Sequence, residues 1–398
     1  MTHSETISFS AAQKVAGSQP LAFTTLVKPV GARCNLRCRY CYYLPTSALY
    51  DGHEPLMSNA ILEEYIRQYI EAVEVPEVTF CWHGGEPLLA GIDFFRRAME
   101  LQQRYRGGKT IVNTLQTNGL LVDAEWCRFF RENDFLVGLS MDGPQVVHDA
   151  HRVDVHDEPT FSRVCQTAML MAQEHVQFNI LCTVNVLTAR QPLLVYRFLR
   201  RLCPFLQFLP VGAPEAYAVS AEDWGRFICA VWDEWVRNDV GRVFVQLFDV
   251  TLAQWCGLKS TLCALGETCG DGLAVEHNGD VYCCDHFVDT EHLLGNLLET
   301  PLAEMVRSSR QLQFGADKFS SLPTRCRRCD WLFLCHGECP EHRIRTDEHG
   351  DPFLSAFCEG YQRFFEHTAA DMRTMRSLLE KEQPPAMIMK MKQKTKNN

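Results

Sequence analysis

The sequence predicts an α/β chain in which parallel strands and crossover helices close fully or partly into a barrel, followed by a smaller metal-stapled domain. Three observations carry this expectation. A strand-then-helix rhythm starts near residue 22, polar loops fall after successive strands, and a cysteine-dense stretch from Cys263 to Cys358 begins where the rhythm has ended.

The first unit runs from a β-rich segment, 23–30, through a Gly31 loop to a helix capped by Ser58, in which Ile61, Leu62, Tyr65, Ile66, Tyr69 and Ile70 recur at helical spacing. Further strands are expected at 78–82, 110–115, 135–140, 178–184 and 205–211. Helices are expected at 92–106, 124–132, 160–174 and 192–202, then a tryptophan-rich one at 221–238. Beyond Cys256 the alternation stops, and short pieces at 273–275 and 281–284 flank an Asn278-Gly279 turn signal. The expected division is a polar extension over 1–22, the barrel over 23–255, the cysteine-rich domain over 256–365, and a C-terminal helix with a basic tail over 366–398. The tail from Met387 on shows no periodic logic and reads as a solvated segment.

In parallel barrels the loops at the C-terminal strand ends converge on one mouth. Here Arg33 to Tyr43 follows the first strand, His83-Gly84-Gly85-Glu86-Pro87 the second, Gln116-Thr117-Asn118-Gly119 the third and Met141-Asp142-Gly143-Pro144 the fourth. Four such loops predict one site.

Composition narrows the chemistry. With 398 residues, 46% hydrophobic and 22% charged, the chain can bury a large core. Its net charge of −10 argues against binding to nucleic acid. An odd count of 19 cysteines, behind a start without an apolar leader, argues for thiols that are reduced or metal-bound, and so for the cytoplasm. No apolar run approaches the roughly 20 residues of a spanning helix, so no membrane partner is expected.

The cysteines fall into constellations. Cys34, Cys38 and Cys41 are spaced C-x3-C-x2-C in a loop after a strand. Three thiolates there can hold a 4Fe-4S cluster and leave one iron open, while the same spacing suits a zinc site completed by a distant His, or three buried thiols. Cys263, Cys269 and Cys284 form a second group, and Cys326, Cys329, Cys335, Cys339 and Cys358 a third. Those eight suffice for two four-thiolate sites of zinc or iron–sulfur type. Cys81, Cys127, Cys165, Cys182, Cys203, Cys229 and Cys256 mostly read as core packing, and Cys283 should point away from its neighbour Cys284.

The loop CNLRCRYC resembles the cluster motif of radical S-adenosylmethionine enzymes. From about Phe23 to Gly360 the chain is similar to the anaerobic sulfatase-maturating enzymes, which carry a C-terminal SPASM domain. The resemblance also rests on GGEP, QTNG, LSMDGP, the Arg of HDAHRV, GDVYCCDHFVD, LGN, CRRCDWLFLCHGECPEHR and FCEGYQRFF. It implies a partial (β/α)6 radical-SAM barrel with a C-terminal iron–sulfur SPASM domain. Cys34, Cys38 and Cys41 would hold a 4Fe-4S cluster that binds S-adenosyl-L-methionine. Gly84 and Gly85 would let backbone approach that ligand, Glu86 would accept from its ammonium, and Ser140 and Arg152 would contact its ribose and carboxylate. Tyr40, Tyr43, Gln116, Asn118 and Leu209 would shape the pocket.

By the same resemblance Cys263, Cys269, Cys284 and Cys339 bind one auxiliary 4Fe-4S cluster, and Cys326, Cys329, Cys335 and Cys358 another, making three clusters in all. The implied reaction takes a hydrogen atom from Cβ of a Cys or Ser in a target protein, most often a sulfatase, giving formylglycine. Asp285 would be the general base. A flavodoxin- or ferredoxin-type donor would supply electrons. His83 stands where the family usually carries Gln, faces the peptide substrate, and is expected to titrate near neutrality. The segment from Val211 to Asp223, expected to flank the peptide channel, is short for the family. A related SPASM peptide maturase and, in a different class, a zinc-stapled binding protein are the alternatives.

Overall fold

A computed structural model describes residues 20–50 and 55–396. The expected extension over 1–22 lies almost wholly outside the described residues. One sheet organises the chain, in the order β10-β9-β8-β1-β2-β3-β4-β5-β6-β7. Strands β1 (Thr24–Val27), β2 (Glu77–Trp82), β3 (Thr110–Thr117), β4 (Leu136–Ser140), β5 (Phe178–Val184) and β6 (Phe205–Pro210) correspond to the six expected strands and pair in parallel. Strands β1 and β6 do not pair with each other, so the barrel is partial.

Two additions were not legible in the sequence. A two-residue strand β7 (Phe244–Val245) extends the β6 edge in parallel. On the other edge β8 (Gly272–Val275), the first strand of the cysteine-rich region, pairs in parallel with β1, and β9 (Asp280–Tyr282) and β10 (Leu293–Asn296) continue the sheet as antiparallel strands. The turn between β8 and β9 is the expected Asn-Gly turn, closed by Gly279 N donating to Glu276 O at 2.9 Å. Both expected domains therefore share one sheet.

The helices follow their local signals. Ser58 accepts from Ile61 N at 3.2 Å and starts Asn59–Ala72; Asp123 and Ser220 cap Ala124–Glu132 and Ala221–Asn238 in the same way. The tryptophan-rich helix packs against Cys358–Glu380, where Trp232 meets Phe364 at 6.1 Å and Trp224 meets Tyr361 at 5.8 Å. Cys127, Cys182, Cys203 and Cys229 are buried in the core as expected, Cys283 is also buried, and Cys256 is exposed just past the Gln246–Trp255 helix.

The C-terminal segment departs from the expectation of a solvated tail. Met387–Lys396 is a helix, Ile388 on it is 1% exposed, and Lys392 pairs with Asp371 at 2.7 Å. The apolar residues of a Met- and Lys-rich sequence find a face where the Ala221–Asn238 and Cys358–Glu380 helices pack together. Ile388→Ala should lower stability by about 2 kcal/mol or more by denaturant titration, as buried truncations do. A segment free in solvent would change by less than about 0.5 kcal/mol.

Candidate active site

The loop after β1 is pinned on its outer side. Arg37 N donates to Val153 O at 2.9 Å, Arg39 N to His151 O at 3.0 Å, and Cys41 N to Cys38 O at 3.0 Å. Donors back its sulfurs: Leu36 N lies 3.3 Å and Asn118 Nδ2 3.6 Å from Cys34 Sγ, and Arg152 Nη1 lies 3.9 Å from Cys38 Sγ. Burial, with the Glu86 carboxylate adding to it, pushes the Cys34 thiol up to about 12. Burial pushes Cys38 up to about 11 against the pull of Arg152. Thiols this hard to ionise become thiolates only beside a strong cation, which an iron cluster provides.

The second loop docks on the first. A Cβ on Gly85 would stand 2.0 Å from Arg33 O, and Gly85 N and Glu86 N donate to Gly31 O and Arg33 O at 2.8 and 2.9 Å. The absence of a Cβ at this glycine lets two backbones touch. Gly84 similarly leaves room for the stem of Lys28, whose Cδ is 3.2 Å from where a Cβ would stand. Glu86 is fully buried and ties the second loop to the third. It accepts from Leu88 N (3.1 Å), Thr117 Oγ1 (2.9 Å) and Asn118 N (2.8 Å), with burial pushing its carboxyl up to about 7. One acceptor direction, on Oε2, is left for a ligand.

The third, fourth and fifth strand ends complete this wall. Gln116 Nε2 donates to Ser140 Oγ at 2.9 Å. Arg152 pairs with Asp142 at 3.1 Å and donates to Thr183 Oγ1 at 3.0 Å, while Tyr40 donates to Asp142 and lies under the Arg152 guanidinium at 5.5 Å. Leu209 is 36% exposed on β6. The segment after β6 folds back, with Val219 N on Val211 O at 3.0 Å, and sets Tyr217 against His151 at 5.2 Å.

Tyr43 packs beneath Lys28. It is buried, its hydroxyl donates to Glu276, and its ring lies 3.9 Å below Lys28 Nζ, so it supports the site from behind. Its neighbour Tyr42, 40% exposed, is the one that reaches in. Tyr42 donates to Oδ2 of Asp285, and the fully buried Lys28 donates to Oδ1. Burial works to raise the Asp285 carboxyl, but the Lys28 ammonium, with His83 and His286 behind it, holds it well below the usual carboxylate range. His83 is depressed to about 4 by burial and then by Lys28, so it is neutral at physiological pH; the expected near-neutral titration is corrected. Sequence reasoning missed Lys28 and Tyr42. The available signal for Lys28 was a lone cation ending an apolar strand run.

The eight later cysteines sort into two groups. Cys284 lies close enough to Cys263 and Cys269 for their thiolates to repel, and Cys339 close enough to Cys284. Cys335 stands likewise to Cys358 and Cys326, and Cys358 to Cys326 and Cys329. Cys326, Cys329, Cys335 and Cys358 line one small cavity. Among the described residues no three His, Cys, Asp or Glu side chains converge on a single-ion point. Each donor set is four thiols, which fits a 4Fe-4S cluster. Cations lie at the groups: Lys318 Nζ donates to Cys263 O (2.5 Å) and Ala264 O (3.0 Å), and Arg343 donates to Lys318 O (2.6 Å) and His336 O (2.9 Å). Between Cys335 and Cys339, residues His336, Gly337 and Glu338 are all left-handed, with φ of 47°, 77° and 62°.

Comparison with known proteins agrees with this geometry. The Radical SAM superfamily profile matches residues 29–186, and the SPASM iron-sulfur cluster-binding domain profile matches 263–330. The chain is 44% identical over 388 residues to a serine-type anaerobic sulfatase-maturating enzyme of Bacteroides thetaiotaomicron, covering 92% of this chain and 94% of that one. This chain belongs to the anaerobic sulfatase-maturating enzyme family. A cysteine-type member from Clostridium perfringens is 35% identical, covering 86% of this chain and 95% of its own. The solved family structure of native anSMEcpe with bound AdoMet superposes with a TM-score of 0.82 at 33% identity, covering 89% of this chain and 99% of that one. Another, with AdoMet and the Cp18Cys peptide bound, gives 0.82 at 32% identity over the same shares.

As a radical SAM enzyme of this family, the chain should carry about twelve irons after anaerobic reconstitution and about eight when Cys34, Cys38 and Cys41 are all changed to Ala. The triple variant should stay folded and lose reductive cleavage of S-adenosylmethionine. A colourless, zinc-loaded chain would contradict the assignment.

Proposed function

We propose that this enzyme oxidises a serine side chain in a sulfatase peptide to formylglycine, with Asp285 as the proton acceptor. The serine preference is supported by the relatives: serine-type members from Bacteroides thetaiotaomicron and Klebsiella pneumoniae are 44% and 40% identical, cysteine-type members 35% or less. The observation that carries the reading is the place of Asp285. It follows the auxiliary-group residue Cys284, yet its carboxylate is held at the end of β1, where the Cys34–Cys41 loop begins.

When bound, S-adenosylmethionine and its cluster supply a carbon radical able to take a hydrogen atom from an unactivated Cβ. The rest is this chain's own work. Cys34, Cys38 and Cys41 hold the cluster; Glu86, Ser140, Arg152, Gln116 and Asn118 hold and orient the cofactor; Tyr40 keeps Arg152 and Asp142 in register. Asp285 takes the hydroxyl proton as the carbon–oxygen double bond forms. It is ionised at neutral pH, and the Lys28 ion pair that orients it also tempers its basicity. His83, neutral, contacts the peptide. Cys263, Cys269, Cys284 and Cys339, and Cys326, Cys329, Cys335 and Cys358, would hold two auxiliary clusters, which would supply an acceptor for the electron left over. Division of labour follows the two regions, 23–255 for the cofactor and 256–365 for the electron sink. A flavodoxin- or ferredoxin-type protein is the proposed donor. No helix among the described residues is long and apolar enough to cross a membrane.

Mass spectrometry of Ser-x-Pro-x-Arg and Cys-x-Pro-x-Arg peptides after anaerobic incubation with reductant and S-adenosylmethionine tests this. The serine peptide should emerge lighter by a pair of hydrogens. Asp285→Asn should keep cofactor cleavage and lose about 100-fold or more in peptide oxidation, the size of a general-base contribution. Oxidation at the wild-type rate in that variant places the base elsewhere.

A further inference from the structure

The carboxylate of Asp285 is gripped on both oxygens by residues that come from the barrel, not from its own region. Lys28, at the end of β1, donates to Oδ1, and Tyr42, next to the last cysteine of the catalytic loop, donates to Oδ2. Lys28 is fully buried and also sits over the Tyr43 ring, whose hydroxyl is fixed by Glu276, so its ammonium has one place to stand. Its strand is fastened to the cysteine-rich region by Lys28 N donating to Val275 O at 2.8 Å. Tyr42 is the member of the trio with the largest exposed surface.

A buried ion pair is a poor way to gain stability, since an apolar replacement of similar volume is often neutral or better. Two donors from one region fixing both oxygens of an acid from another is a geometry suited to orientation. We infer that Lys28 and Tyr42 are positioning residues of the oxidation: they fix the Asp285 carboxylate from the barrel side so that it meets the substrate hydroxyl in one orientation. The inference rests on the reading of Asp285 as proton acceptor. Neither residue touches the reacting atoms, and the balance of the reaction is unchanged: the hydrogen atom leaves Cβ, the proton leaves oxygen for Asp285, and the electron goes to the auxiliary clusters.

The test uses the full, reconstituted chain with a Ser-x-Pro-x-Arg peptide, measuring oxidised peptide and 5′-deoxyadenosine together. Tyr42→Phe should lower kcat for oxidation by about 10-fold, and Lys28→Met by about 100-fold, as expected for hydrogen bonds to a charged group. KM should stay within about 2-fold and 5′-deoxyadenosine formed per oxidised peptide should rise, because cofactor cleavage continues while deprotonation falters. A purely structural role would lower both products together and leave their ratio unchanged, which overturns the inference. So does wild-type kcat and stoichiometry in Tyr42→Phe, and that variant decides alone if Lys28→Met fails to load iron. Asp285→Asn run alongside separates the two readings. If it still oxidises peptide, the base assignment fails; if it is inactive while both clamp variants behave as wild type, only the clamp fails.

Discussion

A fully buried lysine directly after β1, facing a buried aspartate from the cysteine-rich region, is the constraint around which the site is arranged. Removing both charges from water costs several kcal/mol per ion, and breaking such a pair by losing one partner costs about 3–5 kcal/mol. Lys28 must therefore find Asp285 whenever β8 docks on β1, and Asp285 can be buried only where Lys28 waits. The parallel β1–β8 ladder and the Tyr43–Glu276 bond set the same register from the backbone and from the flank. One consequence is that the catalytic loop, which begins six residues beyond Lys28, inherits its position relative to the auxiliary cysteines.

The loops obey a second rule, that buried polar groups be shared between neighbours. Glu86 accepts from its own loop and from the third, Asn118 donates to Asn35 at 2.7 Å and to Cys34, and Arg152 reaches Asp142, Thr183 and Cys38. Each of these side chains thus holds a neighbouring loop, which is how four separate strand ends become one wall.

How much of this could be read from the sequence depended on range. Strands β1 to β6 and the capped helices were legible because the apolar period, Ser58, Asp123 and Ser220 act within a few residues. Cys34, Cys38 and Cys41 were legible because one short segment carries all three. The resemblance, not the spacing, implied which of the eight later cysteines belong together. The pairing of β8 with β1 was not legible, since parallel neighbours far apart in sequence leave no local mark. Tyr42 and Tyr43 are indistinguishable as residue types; only the fold turns one inward to Glu276 and the other to Asp285. His83 carried the wrong expectation because its titration is set by Lys28, 55 residues away. The basic terminal helix is not legible because its partner face is built by two helices distant from it or from each other in sequence, Ala221–Asn238 and Cys358–Glu380.

The interleaving of the auxiliary groups has its own backbone cause. Cys335 and Cys339 are separated by three residues, yet serve different groups, and the chain must reverse sharply between them. Three successive left-handed residues do this, and at His336 and Glu338 the conformation is disfavoured, at about 1–3 kcal/mol for each non-glycine residue. The surroundings over-determine the turn. Glu338 is buried with His342 Nδ1 at 2.8 Å and Ser355 Oγ at 2.9 Å, and Arg343 donates to the carbonyls of His336, Gly337 and Glu338. One guanidinium thus collects the three carbonyls of the strained segment and, through Lys318 O, reaches the element that flanks the Cys263 group. Loading either cluster would then stiffen the turn that presents a ligand to the other, so the two sites should form as one cooperative unit with metal binding as part of the folding free energy.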